Sequence, residues 1–337
     1  MTHRNSLALF LGLASLLGLG IACSSEGDLG ADDASTGGSL DGNVDGNPST
    51  GGTTGTGGST MGNESGGTNG SGGQVGSPRD ACKRGIAYGH HSQADFARVS
   101  PAVSWWYNWA YVPDEALRDG SYADADVAYV PMVWGGEFDD AAITNGIPAG
   151  ATALLGFNEP NFGEQSNLSA QQAAALWPRV EAIADARGLL LVSPAVNFCG
   201  GNCQDTNPFD YLDDFFAACT GCRVDHVAFH IYVGCNQNGD NHAQWLIDHV
   251  ETYKARFSQP LWLTEFACTD AANFDEQKNF LEDAVAYLEN DARIERYSWF
   301  SGRFPGMQYV DLLGADGQLT SLGEAYVNAP KNSACAD

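Results

Sequence analysis

Two apolar runs in this chain each close on a glutamate: Leu154-Leu155-Gly156-Phe157-Asn158-Glu159-Pro160 and Leu261-Trp262-Leu263-Thr264-Glu265-Phe266. A carboxylate at the end of a packed strand is costly unless it is solvated or paired, so two of them invite a common explanation. Paired carboxyl groups facing one cavity are what cleavage of a glycosidic bond requires. One, kept protonated, gives its proton to the leaving oxygen. The other, ionised, attacks the anomeric carbon or activates a water. A separation of about 5–5.5 Å selects retention through a covalent intermediate, and roughly 6.5–9.5 Å selects inversion. Taken singly, either residue could equally be an ordinary loop carboxylate of an acidic protein.

A third run, Val224-Asp225-His226-Val227-Ala228-Phe229-His230-Ile231-Tyr232, supplies possible partners. If it is a strand, period two puts His226, His230 and Tyr232 on one face. From there His230 and Tyr232 can hydrogen-bond Glu265 and favour its ionised form, although a core histidine and a packing tyrosine would look the same. No His-Glu-x-x-His occurs, and no catalytic metal or other cofactor is expected. Aromatic residues crowd the ends of other runs: Trp105, Trp106, Tyr107 and Trp109 with Asn108 among them, then Trp134 and Trp299. Aromatic faces at a site mouth can stack on the apolar faces of sugar rings, while core packing is the alternative for any one of them.

These residues need a scaffold that brings separate strand ends together. Eight short apolar or β-branched runs recur: 84–88, 103–106, 128–132, 153–157, 189–193, 226–232, 261–264 and 296–300. Several are near-continuously apolar, as parallel strands covered on both faces should be. Helical patterns separate the later runs. Ser169 with Gln172 forms a capping-box signature that opens a helix with Ala173, Leu176, Val180 and Ile183 on one face; 243–257 and 276–288 are similar. The early connections are short and their helices unclear. Eight alternating units predict a single α/β domain, a (β/α)8 (TIM) barrel, whose site lies where strands end and βα loops begin. A doubly wound sheet is the rival, but no Gly-rich phosphate fingerprint follows the first run.

The chain has 337 residues and a formal net charge of -26, with 16 basic against 42 acidic side chains. That argues against a nucleic-acid partner, which needs a basic face. Three zones divide it. Residues 1–23 read as a signal segment: Arg4, an apolar run from Leu7 to Ala22, then Cys23 in Gly20-Ile21-Ala22-Cys23. The run is too short and Gly-broken for a membrane span. It is similar to a bacterial lipoprotein signal in which Cys23 takes the lipid, with a secretory signal cut nearby as the alternative. Either way an exported protein is expected, lipid-anchored at the outer cell surface or secreted, and monomeric. Residues 24–79 are mostly Gly, Ser, Thr, Asn and Asp without an aromatic side chain, a composition expected to stay disordered as a linker. Residues 80–337 carry all eight Trp and form the barrel domain.

Setting Cys23 aside leaves Cys82, Cys199, Cys203, Cys219, Cys222, Cys235, Cys268 and Cys335. An even set in an exported chain reads as disulfides, although the Cys199/Cys203 and Cys219/Cys222 spacings would also suit zinc. Cys82 with Cys335 would tie the domain ends, and Cys235 with Cys268 two neighbouring loops. Connectivity among the other four stays open.

The ordered series Lys83-Arg84-Gly85-Ile86-Ala87-Tyr88, Trp106-Tyr107-Asn108-Trp109, Val130-Pro131-Met132-Val133-Trp134, Gly156-Phe157-Asn158-Glu159-Pro160-Asn161, Ser193-Pro194-Ala195, His230-Ile231-Tyr232 and Trp262-Leu263-Thr264-Glu265-Phe266 resembles glycoside hydrolase family 128. The resemblance implies a retaining endo-β-1,3-glucanase on a (β/α)8 barrel, with Glu159 as general acid/base and Glu265 as nucleophile. It implies that Asn158 bonds the sugar or the nucleophile, and that Trp106, Tyr107, Asn108, Trp134, Tyr232 and Trp299 line subsites. Simple alternation puts Asn158 and Glu159 on opposite faces, so both can serve only if that strand end is bulged or twisted. Two other readings stand beside this one: a non-catalytic β-glucan-binding lipoprotein, and a hydrolase of another β-glycan such as mannan or xylan.

Overall fold

The computed structural model describes residues 82–236 and 238–335. The expected signal segment 1–23, the linker 24–79 and Cys23 lie outside the described residues. Eight strands run in chain order: β1 (Arg84–Ala87), β2 (Trp105–Tyr107), β3 (Ala128–Tyr129), β4 (Ala153–Leu155), β5 (Leu190–Val192), β6 (Val227–Val233), β7 (Leu261–Cys268) and β8 (Ile294–Trp299). Every ladder is parallel. One sheet has the order β3-β2-β1-β8-β7-β6 and a second joins β4 to β5. Single parallel bridges, Met132 to Leu155 and Val192 to His226, connect the two into a ring. All eight runs predicted from sequence are strands.

Seven α-helices occur among the described residues: α1 (Gln93–Val99), α2 (Asp140–Gly146), α3 (Ala170–Arg187), α4 (Pro208–Ala218), α5 (Gln244–Arg256), α6 (Phe274–Asn290) and α7 (Ser321–Asn328). Between β2 and β3 two 3-10 turns, Glu115–Leu117 and Ser121–Ala125, stand where a helix would complete the repeat. The starts are set by local chemistry. Ser169 accepts from the Gln172 amide while Gln172 returns the bond, and Gly188 ends α3 in the left-handed conformation, which glycine adopts without a Cβ penalty.

Alternation along each strand makes two cores. Trp105, Tyr107, Met132, Leu155, Val192, Ala228 and Trp262 fill the ring, while Ile86, Trp106, Leu154, Phe229, Leu263, Phe266 and Trp299 pack outward under the helices. Gly85 makes room inside: a Cβ there would lie 2.4 Å from the Trp105 indole. Gly156 does the same outside, where a Cβ would come within 2.8 Å of Trp177 and 3.0 Å of the Pro194 nitrogen.

Chain closure is both covalent and ionic. Cys82 bonds Cys335, as expected from sequence. Arg84, 1% exposed, donates to Glu289 at 2.8 Å, to the Tyr297 hydroxyl at 2.9 Å and to the Pro330 carbonyl at 2.7 Å. Cys235 bonds Cys268, also as expected. The connectivity left open resolves into two short loops, Cys199–Cys203 and Cys219–Cys222, so these four cysteines are disulfides and not a zinc site.

Candidate active site

Glu265 does not reach the ring interior by simple alternation. Trp262 points in and Leu263 out, so strict period two would put Thr264 in and Glu265 out. The pairing slips instead. Phe229 opposes Leu263 but His230 opposes Glu265, and on the other side Leu263 opposes Tyr297 while Phe266 opposes Trp299. Both neighbours therefore see one extra residue in β7, a β-bulge that re-aims every side chain beyond it. Glu265 turns in and Phe266 turns out against Phe280 and Trp299. At the end of β4 the device is different. Glu159 has φ 39°, a left-handed conformation uncommon outside glycine. Its amide donates to the Ala195 carbonyl at 2.8 Å, and the residue is 8% exposed.

The two carboxylates then converge on His230. The His230 Nδ1 lies 2.9 Å from Glu159 Oε1 and 3.4 Å from Glu265 Oε2. One oxygen of each glutamate and the imidazole nitrogen fall within 4.8 Å of one another. Glu265 has three further donors. Tyr107 Oη and Trp109 Nε1 give to Oε1 at 3.0 and 2.8 Å, and Tyr232 Oη to Oε2 at 2.6 Å. These three donors and the imidazole take up the roughly four lone-pair sites of the Glu265 carboxylate, so Glu265 could ligate a divalent cation only by losing those bonds. The cluster is chemically a held anion next to a less encumbered carboxyl group.

Titration follows from this packing. Burial pushes the Glu265 carboxyl above its ordinary value; the His230 charge and the Tyr232 and Trp109 bonds oppose the shift, and the Glu159 charge adds to it. For His230, burial alone would disfavour the imidazolium, but the Glu265 charge and the Glu159 contact outweigh it and hold the pKa above normal. Burial and the Glu265 charge push the Tyr107 and Tyr232 phenols well above theirs, so both remain proton donors.

The glycosyl hydrolase catalytic core family model matches residues 85–326. A crystal structure of a family 128 (subgroup II) endo-β-1,3-glucanase from Sorangium cellulosum is 65% identical, with a TM-score of 0.73 over 75% of this chain and 100% of that one. This chain belongs to glycoside hydrolase family 128. A family 128 (subgroup I) endo-β-1,3-glucanase from Amycolatopsis mediterranei, in complex with laminaritriose, is 31% identical with a TM-score of 0.62, covering 74% of this chain and 100% of that one. The alkali-sensitive linkage protein 1 of Schizosaccharomyces pombe is 28% identical over 262 residues, 73% of this chain. The chain spans only 44% of that curated relative's length.

In this family 128 hydrolase the structure gathers Glu159, Glu265, His230, Tyr232 and Tyr107 as described. Asn158 is buried beside Glu159, bridged to Ala195, with its Nδ2 giving to Gln165 at 3.3 Å. Trp134 stands 39% exposed just beyond β3. Three expected subsite residues sit elsewhere. Trp106 alternates with Tyr107 and so faces outward, fully buried against Phe96 and Tyr129. Trp299 likewise packs outward on Phe266 and Phe280, its Nε1 giving to the Val310 carbonyl at 2.8 Å. Asn108 braces the loop after β2, giving to the Val112 carbonyl at 3.1 Å and accepting from Tyr129. His226 lies at the start of β6, its Nε2 2.6 Å from Glu295. Trp109, seen in the sequence only as one of a crowd, bonds Glu265 directly from a left-handed residue (φ 57°) just past the end of β2. Phe300 was missed. It packs edge-on to both Trp109 and Tyr232, with centroids 6.0 and 5.7 Å apart.

Proposed function

We propose that this enzyme hydrolyses β-1,3-glucan within the chain, with retention, using Glu265 as nucleophile and Glu159 as general acid/base. The observation that carries the reading is the convergence of the two carboxylates on His230, with one oxygen of each within 4.8 Å of the other, closer than the roughly 6.5–9.5 Å that leaves room for an intervening water. Glu265, ionised and oriented by Tyr107, Trp109 and Tyr232, attacks the anomeric carbon. Glu159 protonates the departing oxygen, then takes a proton from the water that cleaves the glycosyl-enzyme. The substrate is supported by relatives described as endo-β-1,3-glucanases, one in complex with laminaritriose.

The purified protein is expected to release reducing oligosaccharides from laminarin. Glu265→Gln should fold normally and lose at least about a thousandfold in kcat, because the nucleophile acts only in the covalent step. Retained turnover moves the nucleophile elsewhere; activity on mannan or xylan instead of laminarin reassigns the substrate.

We further propose that the protein is exported as a monomer, tethered by lipid at Cys23 through the 24–79 linker. Four disulfides support an oxidising compartment. Labelled palmitate should enter the protein but not Cys23→Ser, and membrane retention of that variant contradicts the anchor.

A further inference from the structure

Among the described residues, five large hydrophobic side chains are exposed: Trp134, Phe198, Trp245, Phe274 and Leu190. The four aromatics share a location. Trp134 follows β3, Phe198 follows β5, Trp245 is in the first turn of α5 and Phe274 opens α6. Each lies where a strand ends or the next helix begins, the face that carries Glu159 and Glu265. Leu190, the aliphatic exception, opens β5 at the opposite end.

Two of the four are linked to each other and to the site. The Phe198 ring meets His249 edge-on, with centroids 5.1 Å apart. His249 Nδ1 lies 2.6 Å from the Trp245 carbonyl, and residues four apart share a helix face. The Trp245 indole in turn lies on the backbone of Gly234, where a Cβ would come within 2.5 Å of it. Gly234 is two residues past Tyr232, which bonds Glu265. A chain of contacts thus runs from Phe198 through the start of α5 and the end of β6 to Tyr232 and Glu265. Exposed aromatics gathered on the rim that carries the carboxylates mark that rim as a binding surface.

We propose that Trp245 and Phe198 form a platform for a stretch of the same neutral polysaccharide lying beyond the site on the Tyr232 side. The proposal rests on the β-glucan reading above. Exposed aromatic faces suit the apolar faces of pyranose rings. A chain with net charge -26 repels a polyanion and leaves an uncharged polymer unhindered.

The test is affinity electrophoresis of the full chain through gels containing laminarin, with Glu265→Gln as the parent to prevent digestion. Adding Trp245→Ala and Phe198→Ala should weaken retardation about tenfold, as loss of two stacking contacts implies, and Trp245→Tyr should restore most of it. In the active enzyme the same pair should lower kcat/KM on laminarin relative to laminaritriose. Equal retardation of parent and double variant, or none of either while wild type still turns over laminarin, overturns the platform alone. Absence of both retardation and turnover contradicts the hydrolase reading instead.

Discussion

Glu265 occupies a more demanding position than Glu159. It is buried, yet the proposed attack needs it ionised, so its upward-shifted pKa should set the acid limb of activity above the usual glutamate range of about 4.3. His230 moderates that shift, because its positive charge favours the Glu265 anion. The sign follows: removing the charge in His230→Asn raises the Glu265 pKa further, and the acid limb of kcat/KM against pH should move to higher pH. A limb that stays in place or moves down contradicts the contact. These roles were partly readable. His230 and Tyr232 share a strand face by period two, and the bulge in β7 brings Glu265 opposite them. Trp109 was not readable as a partner because it lies past the strand end, in a left-handed residue (φ 57°) that no sequence signal marks.

At the scale of elements, β7 decides the site. The bulge between Leu263 and Phe266 turns a residue that alternation would send outward into the ring. The Cys235–Cys268 disulfide then ties the far ends of β6 and β7 together. The sequence offers no glycine or proline between Leu263 and Phe266 that would mark the slip. Trp106 and Trp299 show the converse: their outward direction follows from alternation once the strand register is known, and aromatic content alone points the wrong way. Close packing elsewhere is testable. Gly156→Ala sets a methyl against Trp177 and the Pro194 backbone, and overpacking of this kind costs about 1–3 kcal/mol. Chemical denaturation should show a midpoint lowered accordingly, and an unchanged midpoint would mean that Trp177 has room to move.

Over the whole domain, eight strands were readable because buried parallel strands are nearly continuous apolar runs. The missing second helix was not, since 115–125 folds as 3-10 turns whose side chains lack helical period. Closure of the ring joins the first strand to the last helix. Arg84 anchors Glu289, Tyr297 and the 326–330 backbone, while Cys82–Cys335 closes a sequence separation of 253 residues. Replacing both cysteines by serine should lower stability by about 2–5 kcal/mol, read as a lower thermal midpoint with the site chemistry intact. A loss of activity at temperatures where the variant is folded would mean that the termini also position the site.

The two-carboxylate account is tested most directly by trapping the covalent intermediate. A 2-deoxy-2-fluoro glycosyl fluoride of a β-1,3-linked disaccharide, incubated with the enzyme and followed by peptide mass mapping, should add one glycosyl unit to the peptide carrying Glu265, and to no other. A label on Glu159 or on any other residue contradicts the assignment, as does inversion of the anomeric configuration in the first product released from laminarin.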